Sequence, residues 1–157
     1  MIINIEIREA SERDLPHILS LYSQPGMDQE ILPLEQAKEI FCKMQSYPDY
    51  RVYVAMHQGE VVGAFALLIM DNLAHTGAPS GVVEDVVVKE GLHGQGIGKQ
   101  MMRFALDLCS KKGCYKMALS SNLKRERAHR FYESLGFVKH GYSFLIDCRN
   151  KTEEKDV

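Results

Sequence analysis

A strand that runs into a glycine-rich turn and then into a helix constrains this chain more than any other segment. It spans Val86 to Lys99 and reads VVVKEGLHGQGIGK. Gly94, Gly96 and Gly98 permit turns that a Cβ would hinder, and the helix that follows adds the positive end of its dipole. We therefore expect an anion site suited to a pyrophosphate, although a plain tight connection can show the same pattern.

Two common phosphate-binding motifs do not fit this segment. A dinucleotide-binding loop would place a third glycine where Lys99 stands. A P-loop would need a glycine, four residues and then Gly-Lys followed by Ser or Thr, and no such string occurs in the sequence. From His93 to Gly98 the segment instead resembles the coenzyme A pyrophosphate loop of the GNAT superfamily of acetyltransferases, Arg/Gln-x-x-Gly-x-Gly/Ala.

The resemblance departs from the family pattern at His93, which stands where arginine or glutamine is usual. Histidine is shorter than either, so we expect it to pack the turn or to add a pH-dependent contact. The resemblance implies acetyl-CoA as the cosubstrate, held largely by backbone N–H groups. The implied coenzyme contacts are Val86, Val87, Val88, His93, Gly94, Gln95, Gly96, Ile97, Gly98, Lys99, Asn122 and Arg125.

A second segment, residues 128–137, resembles the other superfamily signature, Asn-x-x-Ala-x-x-Leu/Phe-Tyr-x-x-x-Gly-Phe. Arg125 stands at its first position, three residues beyond Asn122. The resemblance implies that Tyr132 lies beside the coenzyme sulfur and protonates the departing thiolate, which a phenol with a reference pKa of about 10 can do. A core aromatic on an amphipathic helix is the alternative interpretation of Tyr132.

Two carboxylates, Glu84 and Asp85, interrupt the apolar strand before the glycine-rich turn. Strict alternation would place them on opposite faces, so that only one points toward the acceptor. The resemblance to glucosamine-6-phosphate acetyltransferases favours Glu84 as the base, directly or through water, with a substrate anchor or a salt-bridge partner as the alternative. Asp85 and His75 are then expected to contact the substrate, and backbone N–H groups of residues 86–88 to hold the oxyanion.

The identity of the acceptor is less constrained. Residues 121–132 resemble aminoalkylphosphonate acetyltransferases, and Lys124, Arg125 and Arg127 would suit a phosphate or phosphonate on the acceptor. The same cluster could contact the 3′-phosphate of coenzyme A or form a solvated helix face. We expect an N-acetyltransferase of a small primary amine, with a protein or peptide amine acetyltransferase and a non-catalytic acyl-CoA-binding sensor as alternatives.

The composition of the chain limits the binding partners that we expect. The net charge of −2 offers no broad cationic face for nucleic acid or an anionic membrane, which favours small polar substrates. No signal peptide is visible at the start, so we expect a cytoplasmic protein. The four cysteines and six histidines show no metal-ligand spacing, so we expect no metal site and reduced thiols in the core. The resemblance is also compatible with a homodimer.

The order of predicted elements indicates an α/β chain, a mixed α+β sandwich with helices on both faces. The resemblance implies a GNAT-like fold whose mostly antiparallel sheet has splayed fourth and fifth strands. We expect one domain over residues 1–149 and a charged tail over residues 150–157. Predicted strands are residues 3–7, 51–56, 61–70, 82–88, 115–120, Val138 and 143–147. Predicted helices start at Ser11, Pro33, Ile97 and Arg125.

Overall fold

The computed structural model describes residues 1–149 and divides the chain into two compact units, the first covering Met1–Leu119 and the second beginning at Ser120. The predicted tail at residues 150–157 lies outside the described residues. The strands are β1 (Glu6–Glu9), β2 (Tyr50–His57), β3 (Glu60–Met70), β4 (Ser80–Val88) and β5 (Lys116–Ala118). The helices are α1 (Leu15–Tyr22), α2 (Leu34–Gln45), α3 (Ile97–Lys111) and α4 (Glu126–Ser134).

The five strands form one sheet in the order β1-β2-β3-β4-β5. The pairs from β1 to β4 are antiparallel, whereas β4 and β5 are parallel and pair only from Ser80–Lys116 to Val82–Ala118. Beyond Val82, β4 has no β5 partner. The predicted mostly antiparallel sheet and the separation of its fourth and fifth strands are therefore confirmed.

Helices cover both faces of the sheet, as predicted. On one face α1 and α2 pack over a core that includes Val54, Ala64 and Ala66. On the other face α3 approaches closely because two glycines leave room. A Cβ on Gly63 would lie 2.9 Å from the Met101 sulfur, and one on Gly81 would overlap the Cys109 sulfur. This double coverage explains why β3 is apolar at nearly every position.

The start of α1 follows the sequence prediction. The Asp14 carboxylate accepts hydrogen bonds from the Ser11 N–H group (2.8 Å) and from the Ser11 hydroxyl (3.1 Å), and a short 3-10 turn carries the chain into α1. Arg8 donates two further bonds to the same carboxylate, at 2.7 and 2.8 Å. These contacts, led by that of Arg8, lower the pKa of the buried Asp14 to about 2.

Three predictions about local structure are wrong. No strand forms at Val138 or over residues 143–147, because within residues 1–149 nothing pairs with their backbone, and an unpaired extended segment is not a stable strand. The first strand begins at Glu6, because the Ile3 N–H group donates to a loop carbonyl instead. Cys42 and Cys148 are exposed, so only Cys109 is a fully buried thiol among the four cysteines.

No helix in residues 1–149 is long and apolar enough to cross a membrane.

Candidate active site

The glycine-rich turn begins where β4 ends and leads directly into α3. Gly94 and Gly96 have φ angles of 78° and 81°, a conformation that residues with a Cβ rarely adopt. Gly96 is the N-cap of α3, and the first helical hydrogen bond runs from the Gln100 N–H group to the Gly96 carbonyl (3.1 Å). The preceding N–H groups of residues 97–99 thus have no acceptor within the helix. Such N–H groups can bind an anion, so this geometry is compatible with the predicted anion site, which remains a prediction.

The chain's N-terminal segment fixes this turn from outside. The Ile3 N–H group donates to the Gln95 carbonyl (3.0 Å), and the Gln100 amide donates to the Ile3 carbonyl (2.7 Å). A Cβ built on Gly96 would lie 3.2 Å from the Ile2 side chain. A substitution at Gly96 would therefore need both a strained backbone and a small movement of Ile2.

Several of the predicted coenzyme contacts could bind the coenzyme only through their backbone atoms. The side chains of Val87 and Ile97 are buried in the core, while His93 and Lys99 are exposed at the turn and in the first turn of α3. Because β5 pairs with β4 only as far as Val82, the following part of β4 has one edge without a strand partner in the first unit. An extended ligand could hydrogen-bond to that edge.

A β-bulge changes the direction of β4 at the two carboxylates. Glu84 pairs with Ala66 on β3. Val87 pairs with Ala64, so the register shifts by one residue between these pairs. Asp85 has a φ angle of 54°, in the left-handed region. The prediction that Glu84 and Asp85 lie on opposite faces is wrong, because alternation does not continue through a bulge.

Both carboxylates instead lie toward α1 and α2. Ala66, the partner of Glu84, belongs to the core beneath these helices, and Asp85 lines a cavity beside it. The pKa of Tyr50 is raised by burial and then by the charges of both Asp85 and Glu84. Although both residues are exposed, partial desolvation by neighbouring atoms raises the pKa of each carboxyl, with Asp28 adding to the effect on Asp85 and Asp85 to that on Glu84. A raised pKa makes a carboxylate a better proton acceptor.

The cavity has a volume of about 240 Å³ and lies among α1, the segment that follows it, α2 and the sheet. Its polar members Tyr22, Asp28, Glu30 and Tyr50 are not evident as a group from the sequence, because they come from three separate segments. Burial, followed by the charge of Asp85, raises the pKa of Tyr22.

Gln24 is a positioning residue that the sequence did not reveal. Its amide group donates to the Val88 carbonyl (3.1 Å) and its carbonyl accepts from the Glu90 N–H group (2.7 Å). The segment after α1 is thereby held against the junction of β4 and the glycine-rich turn. In the sequence, Gln24 precedes Pro25 and indicates only the end of a helix.

His75 lies apart from the cavity lining. Its ring stacks on that of Tyr115 with 4.1 Å between ring centroids, in the connection between β3 and β4. Its predicted contact with the substrate remains a prediction.

The second unit holds the remaining predicted residues. Tyr132 lies on α4 and packs against Phe131 and Phe137, with centroid separations of 5.1 and 5.6 Å. Burial raises the pKa of its phenol, against a smaller opposing effect of Arg125. The phenol therefore stays protonated at neutral pH, as a proton donor must.

Asn122 and Arg125 build the start of α4. The Asn122 side chain accepts from the Lys124 N–H group (2.9 Å), and the Asn122 carbonyl accepts from the Arg125 N–H group (2.9 Å) and from a ring nitrogen of His129 (2.9 Å). Arg125 is the N-cap residue of α4, and its side chain is exposed. The guanidinium is therefore available to an anion, whereas the side-chain oxygen and the backbone carbonyl of Asn122 already have partners.

Comparison with known proteins identifies one family over most of the chain. Residues 11–137 match the model of the Acetyltransferase (GNAT) family. A glucosamine 6-phosphate N-acetyltransferase of Trypanosoma brucei brucei is 30% identical over 146 residues, which cover 93% of this chain and 97% of that protein. An aminoalkylphosphonate N-acetyltransferase of Salmonella typhimurium is 28% identical over 139 residues, 88% of each chain.

The fold agrees with these matches. The crystal structure of a Trypanosoma brucei acetyltransferase superimposes with a TM-score of 0.72 and 29% sequence identity, covering 92% of this chain and 99% of that one. The two signature segments lie at the expected places, one between β4 and α3 and the other on α4.

Proposed function

Because the chain belongs to the acetyltransferase (GNAT) family, we propose that it transfers an acetyl group from acetyl-CoA to the primary amine of a small molecule. The observation that most supports this is the glycine-rich turn, where free N–H groups of α3 adjoin the unpaired edge of β4. The turn suits the pyrophosphate of the coenzyme, and the strand edge suits its amide-bearing arm.

The proposed reaction is direct attack. The amine nitrogen forms a bond to the thioester carbon, the resulting oxyanion is held by backbone N–H groups of residues 86–88, and the carbon–sulfur bond then breaks. Glu84 accepts the proton that the ammonium must lose before attack, and Tyr132 gives a proton to the departing thiolate. The nitrogen is positively charged after attack, so it loses a second proton as the amide forms, and this proton restores the Tyr132 phenol. The raised pKa of each group supports these roles, because it favours proton acceptance by Glu84 and keeps Tyr132 protonated.

A phosphate- or phosphonate-bearing amine is the second candidate acceptor. The Trypanosoma and Salmonella relatives support it, because their names give glucosamine 6-phosphate and an aminoalkylphosphonate as acceptors. The exposed basic residues Lys124, Arg125 and Arg127 also support it. Two competing functions are acetyl transfer to protein amines and non-catalytic sensing of acyl-CoA.

Thiol release from acetyl-CoA in the presence of a panel of amines distinguishes these functions. Turnover with small amines supports the proposal, and turnover only with peptides would favour a protein acetyltransferase. Calorimetric binding of acetyl-CoA without turnover on any amine or peptide would favour a sensor. The absence of both binding and turnover would contradict the assignment of the coenzyme site.

A further inference from the structure

The cavity beside Asp85 has an apolar wall. Most of its lining comes from the facing sides of α1 and α2 and from the segment between them, including Leu19, Ile31, Phe41 and Met44. Ile31 is 58% exposed and lies at the open side. At about 240 Å³ the cavity has the volume of about eight waters at ~30 Å³ each, enough for a ligand of similar heavy-atom number.

All formal charges on this lining are negative. Asp28, Glu30 and Asp85 contribute carboxyl groups, and among residues 1–149 no Lys, Arg or His lines the cavity. Within residues 1–149 these three carboxylates have no hydrogen-bonded or ion-paired partner. All three residues are exposed and therefore solvated, and together they create a negative potential beside the cavity that attracts a positively charged ligand.

A phosphorylated acceptor does not fit this lining. Its phosphate would meet three carboxylates and an apolar wall, without a cation to compensate the loss of hydration. An ammonium group on a hydrocarbon skeleton matches both parts, since the cation can face Asp85 while the carbon atoms lie against Leu19 and Met44.

We propose that the preferred acceptor is a primary amine with an apolar skeleton, an alkylamine or arylalkylamine, bound in this cavity with its amino group at Asp85. The inference rests on the proposed acetyltransferase function and specifies its substrate class. It departs from the phosphate-bearing acceptors suggested by the named relatives, and from the small polar substrates favoured by composition alone.

The first test compares kcat/KM for 2-phenylethylamine and hexylamine with that for ethanolamine, 2-aminoethylphosphonate and glucosamine 6-phosphate. We expect the two apolar amines to be at least tenfold better than each of the other three. A preference for either phosphorylated compound, or for ethanolamine, would overturn the inference while leaving the acetyltransferase function intact.

A pair of variants tests whether this substrate preference depends on the cavity. Ile31→Lys places a cation at the open side, whereas Leu106→Lys makes the same change at a 52% exposed position on α3 that does not line the cavity. We expect Ile31→Lys to lower kcat/KM for 2-phenylethylamine at least tenfold and to raise it for 2-aminoethylphosphonate. Leu106→Lys should leave both values within twofold of wild type. Equal effects of the two variants would overturn the inference.

Binding separates the inference from the proposed function. Calorimetry with 2-phenylethylamine in the presence of coenzyme A reports occupancy without requiring turnover. Binding that Ile31→Lys weakens and Leu106→Lys does not would support the cavity even if no amine were acetylated, an outcome that would refute only the enzymatic proposal. Absence of binding to an enzyme that acetylates other amines would refute only the cavity assignment.

Discussion

Asp85 and Tyr22 line the same cavity, and the Asp85 carboxylate adds to burial in raising the pKa of the Tyr22 hydroxyl. The two residues are 63 positions apart in the sequence, and they meet because the bulge in β4 turns Asp85 toward α1. The phenol remains protonated, and within residues 1–149 the Asp85 carboxylate has no ion-paired cation. One side of the cavity therefore carries a negative charge, which would attract a positively charged ligand.

Replacing Asp85 by Asn should raise KM for the amine at least tenfold with a smaller change in kcat, because the ammonium loses its partner. Asn tolerates the left-handed conformation as Asp does, so the bulge should persist, whereas Asp85→Ala should also disturb it. Burial raises the pKa of Asp85, so folding disfavours its charged form, and the Asn variant should be at least as stable as wild type at pH 7. Steady-state kinetics and thermal unfolding check this, and an unchanged KM would contradict it.

Replacing Glu84 by Gln should lower kcat/KM most at low pH and less at high pH, where free amine is abundant. In wild type the rate should rise with pH as Glu84 deprotonates, and its raised pKa moves this rise above the range of an ordinary glutamate. A full pH profile of both enzymes is the measurement. If the variant and the wild type have parallel profiles, Glu84 is not the base.

Gly96→Asp should weaken acetyl-CoA binding far more than Gly96→Ala. Both variants have a Cβ near Ile2 and a φ angle of 81°, but only Asp adds a charge beside the expected pyrophosphate. Asp tolerates this conformation better than Ala, so backbone strain would predict the opposite order. Calorimetric titration of both folded variants with acetyl-CoA measures this difference in affinity. Equal affinities would exclude a pyrophosphate at this turn.

Tyr132→Phe should reduce kcat by roughly ten- to a thousandfold, because general-acid assistance typically contributes about 10²–10⁴ and water can substitute in part. Coenzyme affinity should change little. Because burial raises the pKa of Tyr132, wild-type activity should not decline near pH 10 from its ionisation. Phe131→Leu is a packing control on the same helix. If chemistry is rate-limiting and Tyr132→Phe has the same kcat as wild type, then Tyr132 has only a structural role.

Asp14→Asn should destabilise the protein by about 1–3 kcal/mol at pH 7, because the carboxylate that binds Arg8 and Ser11 is lost. The pKa of Asp14 is about 2 in the folded state, below its unfolded value, so its stabilising effect is complete above about pH 4 and disappears as pH falls toward 2. Urea unfolding at pH 7 and pH 2.5 should therefore show a smaller difference from wild type at the lower pH. Glu12→Gln in the same turn is the control, and a pH-independent difference would contradict the assignment.

Local sequence signals predicted much of the scaffold. The helix start at Ser11, the strands at residues 51–56 and 61–70 and the glycine-rich turn all depend on signals within a few residues, and each lies in the structure close to where it was predicted. The signals near the C-terminus were less reliable. The consecutive apolar residues Phe144, Leu145 and Ile146 suggested a strand, but a strand also needs a partner, which the local sequence does not supply.

The sequence by itself determined the family, the glycine-rich turn and the presence of two carboxylates before it. Only the tertiary structure decided where those carboxylates point, because a bulge is set by the pairing of β4 with β3, and the alternation rule assumes that no such shift occurs. The cavity likewise depends on the packing of α1, α2 and the sheet, which brings Tyr22, Tyr50 and Asp85 together from separate segments. Its charge and shape are properties of contacts between distant residues, and such contacts are established only when the chain folds.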